Sequence, residues 1–289
     1  MIDKNTEQNN LEVIIQPNRS WFYIDWRGLL HYRDLLFLLV RRDFLSRYKQ
    51  TILGPLWFII QPLLMTIVFT VIFGKVAKIP TDGLPPMLFY LCGLLAWGYF
   101  ASCLKATSSS FIENAHLFGK VYFPRLVVPL SSVISNLFAF GIQLVAFLGF
   151  YFYFKNFTLA GASINPNLFI FVLPLLVLQT AAIGLGVGLW MSALTAKYQD
   201  LKFVMEFLIQ LWMYATPVIY SMSVIPEKWR PVLAINPMAP ILESYRYAFF
   251  GTSSLNFNYL LISAVTTVFV LLSGIFIFNK VERTFIDTV

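Results

Sequence analysis

The sequence predicts an all-α membrane protein with six transmembrane helices, both termini on the cytoplasmic side, an N-terminal interface helix and a re-entrant outer hairpin between the fifth and sixth spans. Three observations predict the frame. Of 289 residues, 58% are hydrophobic and 12% charged, and the mean hydropathy is +0.71; a soluble domain carries about 25% charged residues. Six apolar stretches, 54–73, 87–104, 126–154, 168–194, 203–221 and 258–278, approach or exceed the roughly 20 residues that a spanning helix needs. With the N-terminus inside, Lys and Arg number eight over 1–53, three over 105–125, and two each over 195–202 and 279–289, against six in the outer segments. That bias sets orientation. It also accounts for the net charge of +7: a basic inner rim faces anionic lipid heads, and no nucleic-acid partner is required.

The chain divides into a polar tail (1–28), an interface helix (29–50) and a transmembrane domain (51–289). The first 50 residues are polar and charged and carry no signal-peptide pattern. In LLHYRDLLFLLVRRDFLSRYKQ, Tyr32, Leu36, Val40, Phe44 and Tyr48 recur every fourth residue, interrupted by Arg33, Asp43 and Arg47. This suits a helix on the inner membrane surface, with Arg41, Arg42, Arg47 and Lys49 toward the headgroups. Two readings remain at this point: a basic anchor, or a docking surface for a cytoplasmic partner.

The third and fourth spans exceed a bilayer's needs, so they tilt, kink or project beyond it. Pro62, Pro129, Pro174 and Pro217 lie in or near spans, where membrane helices tolerate them. Cys92 and Cys103 sit in one apolar run, about 16 Å apart along a helix, too far for a disulfide; they read as packing residues. Gly184 and Gly188 in the fourth span form a small-xxx-small face for close helix packing. Glu206 is the one charged residue away from a span's ends, and Lys202 four positions earlier supplies an i,i+4 partner. An interfacial ion pair and a proton site are both open readings of it. Ion-driven carriers hold ionisable groups at mid-membrane to bind the coupling ion; the remaining spans lack them, so the energy source lies elsewhere.

ENAHLFGKVYFPR (113–125) contains Gly119-Lys120, the dipeptide of a phosphate-binding loop. That loop needs a Gly at position 114 and a hydroxyl at 121, where Asn114 and Val121 stand. Gly74-Lys75 fails in the same way, with Phe69 and Val76. The chain is expected to bind no ATP and no other cofactor. What remains is a short mixed helix ended by Pro124. Leu117, Phe118, Val121 and Tyr122 can fill a partner's groove, and Glu113, His116 and Lys120 offer polar contacts. His116 and His31 are the two histidines, and no Cys/His spacing marks a metal site. The second inner loop, TAKYQDLKF (195–203), is equally compact. Such loops suit force transfer from an attached motor better than catalysis. A membrane enzyme would need carboxylates or a His cluster at the membrane edge, and Glu113 with His116 is the one candidate pair.

The outer segment 222–257 holds Pro226, Pro231, Pro237 and Pro240 among apolar stretches. Pro240 fits an early position of a short helix running to Gly251, on which Glu243 and Arg246 share a face. It reads either as a cap over an exit or as an ordinary outer loop. The aromatic residues are plentiful; Trp57, Tyr90, Trp97, Trp212, Tyr214 and Tyr220 are candidates for a channel wall that stacks on sugar rings, with interfacial belt and packing as the competing role.

In this order, RRDFLSRYKQTILGPLWFIIQPLLMTIVFTVIFG (41–74), ENAHLFGKVYFPR (113–125), QLWMYATPVIY (210–220) and INPMAPILESYRYAFFG (235–251) resemble the membrane subunit of ABC-2-type polysaccharide exporters, which include O-antigen, capsule and teichoic-acid permeases. The resemblance covers nearly the whole chain from about residue 25. It implies a homodimer in the bacterial inner membrane, paired with two copies of a separate cytoplasmic ATPase that holds ATP and Mg, and a lipid-linked polysaccharide as cargo. A small lipophilic compound or a lipid is the alternative cargo. By the same resemblance, 113–125 is the first coupling helix, 29–50 the interface helix and 195–203 the second contact, with Lys197, Tyr198 and Asp200. Residues 222–257 become outer gate helices with Pro237, Pro240, Glu243 and Arg246. The second contact departs from the family's Arg-Tyr-Arg-Asp pattern, reading Lys197-Tyr198-Gln199-Asp200.

Overall fold

The computed structural model describes residues 26–46, 49, 51–118, 123–198, 200–252 and 255–285, and among them every regular element is helical. In chain order these are α1 (Trp26–His31), α2 (Arg33–Ser46), α3 (Trp57–Phe69), α4 (Pro86–Ser108), α5 (Ser110–Glu113), α6 (Ala115–Phe118), α7 (Val127–Phe157), α8 (Leu173–Lys197), α9 (Leu201–Ala215), α10 (Arg230–Ala234), α11 (Met238–Phe250) and α12 (Phe257–Phe285). Five helical stretches are long and apolar enough to cross a membrane: Gly54–Val76, Pro86–Ser108, Val127–Phe157, Leu168–Lys197 and Phe257–Val281. The first is α3, preceded by a 3-10 turn and continued by a π-helical stretch, Thr70–Val76.

The expected fifth span, 203–221, is occupied differently. α9 has 15 residues, about 22 Å of helix, against a hydrocarbon thickness of about 30 Å. Pro217 ends it. Proline lacks an N–H and disfavours the helical region for the residue before it, and Thr216 is extended at φ −104°, ψ 144°. The chain from Thr216 to Ser221 is irregular yet stays buried, apart from half-buried Tyr220.

α4 is the centre of the fold. It packs on α8, α7, α3 and α11, and 72% of its most apolar window is buried. An apolar surface all round, with small residues such as Gly93 and Ala96, suits that position. α8 lies between α4 and α12, and its GLGVG run fits both neighbours. Gly184 and Gly188, one turn apart, face α4; Gly186, on the opposite side, faces α12. A Cβ at Gly188 would lie 2.5 Å from Thr107 Cβ, and one at Gly186 would lie 2.9 Å from Leu271 Cα. Gly274 closes the second contact, where a Cβ would meet the Gly186 carbonyl oxygen at 2.5 Å. Cys92 and Cys103 are buried in this core and form no disulfide, as packing residues do.

The 29–50 interface helix is two helices in the structure, α1 and α2, broken at Tyr32. Part of its apolar surface packs on protein and part is exposed. Leu36, Leu39 and Val40 are covered, and Leu36 and Leu39 join a small cluster with Phe123, Val127 and Val128 at the start of α7. Leu30, Phe37, Leu38 and Leu45 form an exposed face. α3 and α9 also present apolar faces outward: Leu64, Ile67 and Val71 on the first stretch, and Phe203, Phe207, Leu211 and Tyr214 on α9. α11 is the reverse. Twelve of its 13 residues are buried, and Gly251, at φ +69°, accepts the left-handed turn that ends it.

Candidate functional site

Polar groups collect at the two ends of α4. At its C-terminal end, α4 gives way at Ser109 to α5, and α8 is tied to that turn. Thr195 Oγ1 donates to the Ser108 carbonyl at 2.7 Å, and the Ser110 and Ser192 hydroxyls lie 2.9 Å apart. The first turns of α9 lie alongside. Lys105 Nζ is 2.5 Å from Glu206 Oε1, and Lys202 Nζ is 3.5 Å from Glu113 Oε1. Glu206 therefore reaches across to α4 instead of back to Lys202, correcting the i,i+4 pairing. The two pairs alternate in sign, so each α9 charge has its complement on the α4–α5 side. A cavity of about 320 Å³ lies beside them, lined also by Ser102, Asn136 and Met205.

α2 joins the same cluster. Arg42 Nη2 donates to Asn114 Oδ1 at 3.1 Å and to Asp43 Oδ1 at 2.8 Å, while Asn114 Nδ2 donates to the Ser110 carbonyl. Three segments far apart in sequence thus meet around residues 113 and 114. Of the expected coupling residues, Glu113 and Leu117 are placed here, Leu117 against the α2–α7 cluster. His116 and Phe118 have backbone positions in α6, but their side chains lie outside the described residues, as do Arg47, Lys120, Val121, Tyr122 and Gln199 entirely. Lys197 lies over the Tyr198 ring at 5.1 Å. Tyr198, Asp200, Arg41 and Lys49 are exposed. The bridges from Lys105 and Lys202 escaped the sequence reading, because nothing in a linear string relates position 105 to 206.

At the N-terminal end of α4 sits the buried pair Glu243 and Arg246. Nη1 of Arg246 is 3.2 Å from Glu243 Oε1, with 2% and 8% of the side chains exposed. Nη1 also donates to the Tyr220 carbonyl at 3.3 Å, and Nη2 to the Val218 carbonyl at 2.9 Å. The guanidinium carbon lies 3.8 Å from the centroid of the Phe89 ring, a cation–π contact. Glu243 Oε1 accepts from the Met222 N–H at 3.4 Å. Burial pushes the Glu243 carboxyl above its ordinary value, while Arg246 and the Met222 N–H pull it back. The pair thus supplies the irregular 216–222 backbone with partners that it lacks by itself. Asn236 adds a second tie: it accepts from Trp212 Nε1 at 3.0 Å and donates to Thr216 Oγ1 at 2.8 Å. Pro237 stands at the N-cap position of α11, where Asn236 Oδ1 accepts from the Met238 N–H at 3.1 Å, and Pro240 lies in its first turn. Asp82 accepts from the hydroxyls of Ser221 and Ser223.

The six candidate wall aromatics separate. Tyr90 and Trp97 are buried in the core, Trp97 within 5.0 Å of Phe100 between ring centroids, so they face protein. Trp212 and Tyr220 are half-buried, and Trp57 and Tyr214 are exposed. Among the described residues, no group of three or more His, Cys, Asp or Glu is placed to hold a metal ion.

The sequence profile described as ABC-2 type transporter matches residues 34–250. An O-antigen export system permease protein RfbA of Klebsiella pneumoniae is 31% identical over 255 residues, covering 88% of this chain and 94% of that protein. A protein of the same name from Myxococcus xanthus is 28% identical over 267 residues, covering 91% and 98%.

Proposed function

The chain belongs to the ABC-2 type transporter family, and from that premise we propose that it is the membrane-spanning subunit of an exporter of lipid-linked polysaccharide, O-antigen-like in class, in the bacterial inner membrane. The observation that carries the reading is the similarity to O-antigen export permeases from end to end, 88% of this chain against 94% of one such relative. The distribution of charge supports it. The crossing helices hold almost no ionisable groups at mid-depth, so no ion gradient has a site to act on, and work must enter through the polar end.

In this reading both termini are cytoplasmic. The five long helices cross the membrane, and α9 with the 216–221 stretch makes the sixth crossing. α10 and α11 form the re-entrant outer hairpin, with Pro237, Pro240, Glu243 and Arg246 as the outer gate. Two chains pair, and the exposed faces of α3 and α9 meet lipid, the second copy or the cargo. Trp57, Trp212, Tyr214 and Tyr220 are the aromatics left to line the path. Two copies of a cytoplasmic ATPase, holding ATP and Mg, press on the 113–125 segment (Glu113, His116, Leu117, Phe118, Lys120, Val121, Tyr122) and on Lys197, Tyr198 and Asp200. The push reaches α9 through the Glu113–Lys202 and Lys105–Glu206 pairs, and α2 through Arg42–Asn114. Arg41, Arg42, Arg47 and Lys49 hold the interface helix at the headgroups.

Deleting the gene tests the cargo: undecorated cells with glycan trapped inside are the expected result. Unchanged surface glycan, in a strain with no second exporter, overturns it. Purified alone, the chain should hydrolyse no ATP; robust hydrolysis overturns the division of labour.

A further inference from the structure

At the α11 end of the bundle, a cleft of about 660 Å³ opens between the 222–230 segment, α11 and the start of α12. That volume suits a ligand of several rings. Its walls come from three separate parts of the chain. Glu243 lies at the floor, 8% exposed, whereas Glu227 at the rim is 91% exposed. Arg230 stands on the same rim, held by a 3.1 Å bond from Nε to the Ile225 carbonyl. Asn256, Asn258 and Tyr259 form the facing wall. Asn256 caps α12, its Oδ1 accepting from the Asn258 N–H at 3.0 Å. The cap occupies the amide oxygen, while the amide NH2 remains a donor.

This set of groups selects among ligands. Arg246 balances Glu243, and Arg230 stands 3.9 Å from Glu227, so the lining has no excess positive charge to draw in phosphate, pyrophosphate or acidic lipid heads. Carboxylate acceptors beside amide and guanidinium donors complement hydroxyls, which donate and accept at once. The Tyr259 ring, with Met222 and Pro240, gives an apolar surface for the C–H face of a pyranose. We infer that this cleft binds a short run of neutral sugar units of the emerging glycan on the outer side of the membrane, an inference that rests on the export reading above. Its floor is the carboxylate that holds Arg246 and the Met222 N–H. A bound sugar therefore touches the pair that secures the 216–222 backbone.

Cys92 and Cys103 are buried, so a thiol introduced by Asn258→Cys is the reactive one in the native chain. In spheroplasts carrying the complete exporter, a membrane-impermeant maleimide should alkylate it at least fivefold more slowly during polysaccharide synthesis than after a block upstream of export. The exposed Leu159→Cys site should show no such difference. In purified exporter, the delipidated surface polysaccharide of the same cells should slow alkylation likewise, and inorganic phosphate should not. Should Asn258→Cys fail to assemble, Glu227→Cys on the exposed rim reads the same protection. Equal rates with and without glycan, or protection by phosphate alone, overturn the cleft while surface glycan still marks export as intact. Loss of the gene with unchanged surface glycan overturns the export reading instead.

Discussion

Replacing Gly188 by alanine tests the central packing of the fold. The added Cβ would stand 2.5 Å from Thr107 Cβ, 2.8 Å from Thr107 Cγ2 and 3.2 Å from the Leu104 carbonyl oxygen. Thr107 Cγ2 can turn away, but Thr107 Cβ and the Leu104 carbonyl move only if α4 and α8 part by several tenths of an ångström or more. Overpacking of this kind destabilises by about 1–3 kcal/mol, and alanine's better helix propensity returns at most about 1 kcal/mol. A net loss of about 1–2 kcal/mol corresponds to a midpoint roughly 2–8 °C lower for a domain of this size. Cys92 and Cys103 supply the assay: both are buried thiols outside any disulfide, so a thiol-reactive fluorophore in detergent reports unfolding. Gly149→Ala is the control, since nothing lies within 4 Å of its added Cβ, and it should leave the midpoint at or slightly above wild type. A Gly188→Ala midpoint equal to or above wild type, or an equal fall in both variants, refutes the reasoning.

Arg246→Met leaves Glu243 buried without its cation and the Val218 and Tyr220 carbonyls without that donor. Breaking a buried pair costs roughly 3–5 kcal/mol, so the same thiol assay should show a larger fall than Gly188→Ala; an unchanged midpoint counts against the anchor. At the other end, Lys105→Glu should reduce surface glycan, and adding Glu206→Lys should restore it. Those side chains are more than half exposed, so the midpoint should barely move in either variant; failure of the reversed pair to rescue export removes the bridge from the coupling route. Glu206→Gln alone should leave export largely intact, because Glu113–Lys202 still joins α9 to α5, and abolished export in a folded protein would make the charge itself essential. Combined Phe118→Ala and Tyr122→Ala should weaken copurification of the ATPase and lower export with an unchanged midpoint; intact association would move the contact elsewhere.

What could be read in advance follows from the range of each physical signal. Apolar length marks a crossing wherever the backbone stays helical, and five of the expected stretches carry such helices. The signal missed the end of α9 because Pro217-Val218-Ile219 is as apolar as a helix interior, while proline alters the backbone and leaves hydropathy unchanged. Gly184 and Gly188 were legible, since one turn of separation places them on one face. Gly186 was not, because its role depends on Gly274 and Leu271 in a later helix. Pairing shows the same boundary. Glu243 and Arg246 are three apart on one helix, and their contact follows from helical geometry. For Glu206 the same rule pointed to Lys202, yet Lys105 is nearer in space, and only the packing of α9 on α4 brings it there. Residue type alone leaves Tyr90 and Trp97 open between a channel wall and helix packing. The apolar residues all round α4 were the better guide, because a helix of that kind is buried on every side.

The buried arginine follows from the same break in α9. Hydrocarbon offers no water to satisfy carbonyls, so irregular backbone at membrane depth persists only where protein supplies the partners. With α9 about 22 Å long, the sixth crossing in the proposed arrangement has to be completed by the 216–221 stretch, whose carbonyls face inward. One guanidinium meets two of them, at Val218 and Tyr220, while Phe89 covers its face and Glu243 balances its charge. A longer α9 would satisfy its own backbone and would leave the Arg246 N–H groups without the Val218 and Tyr220 carbonyls, with Glu243 as the remaining partner. The proline and the arginine therefore require each other, and α9 ends up held by exposed, separable ion pairs at one end and by a buried, multiply bonded anchor at the other. In the proposed coupling, force arriving at residue 113 would meet the looser attachment first, and the 216–221 stretch that follows α9 would stay held by Arg246.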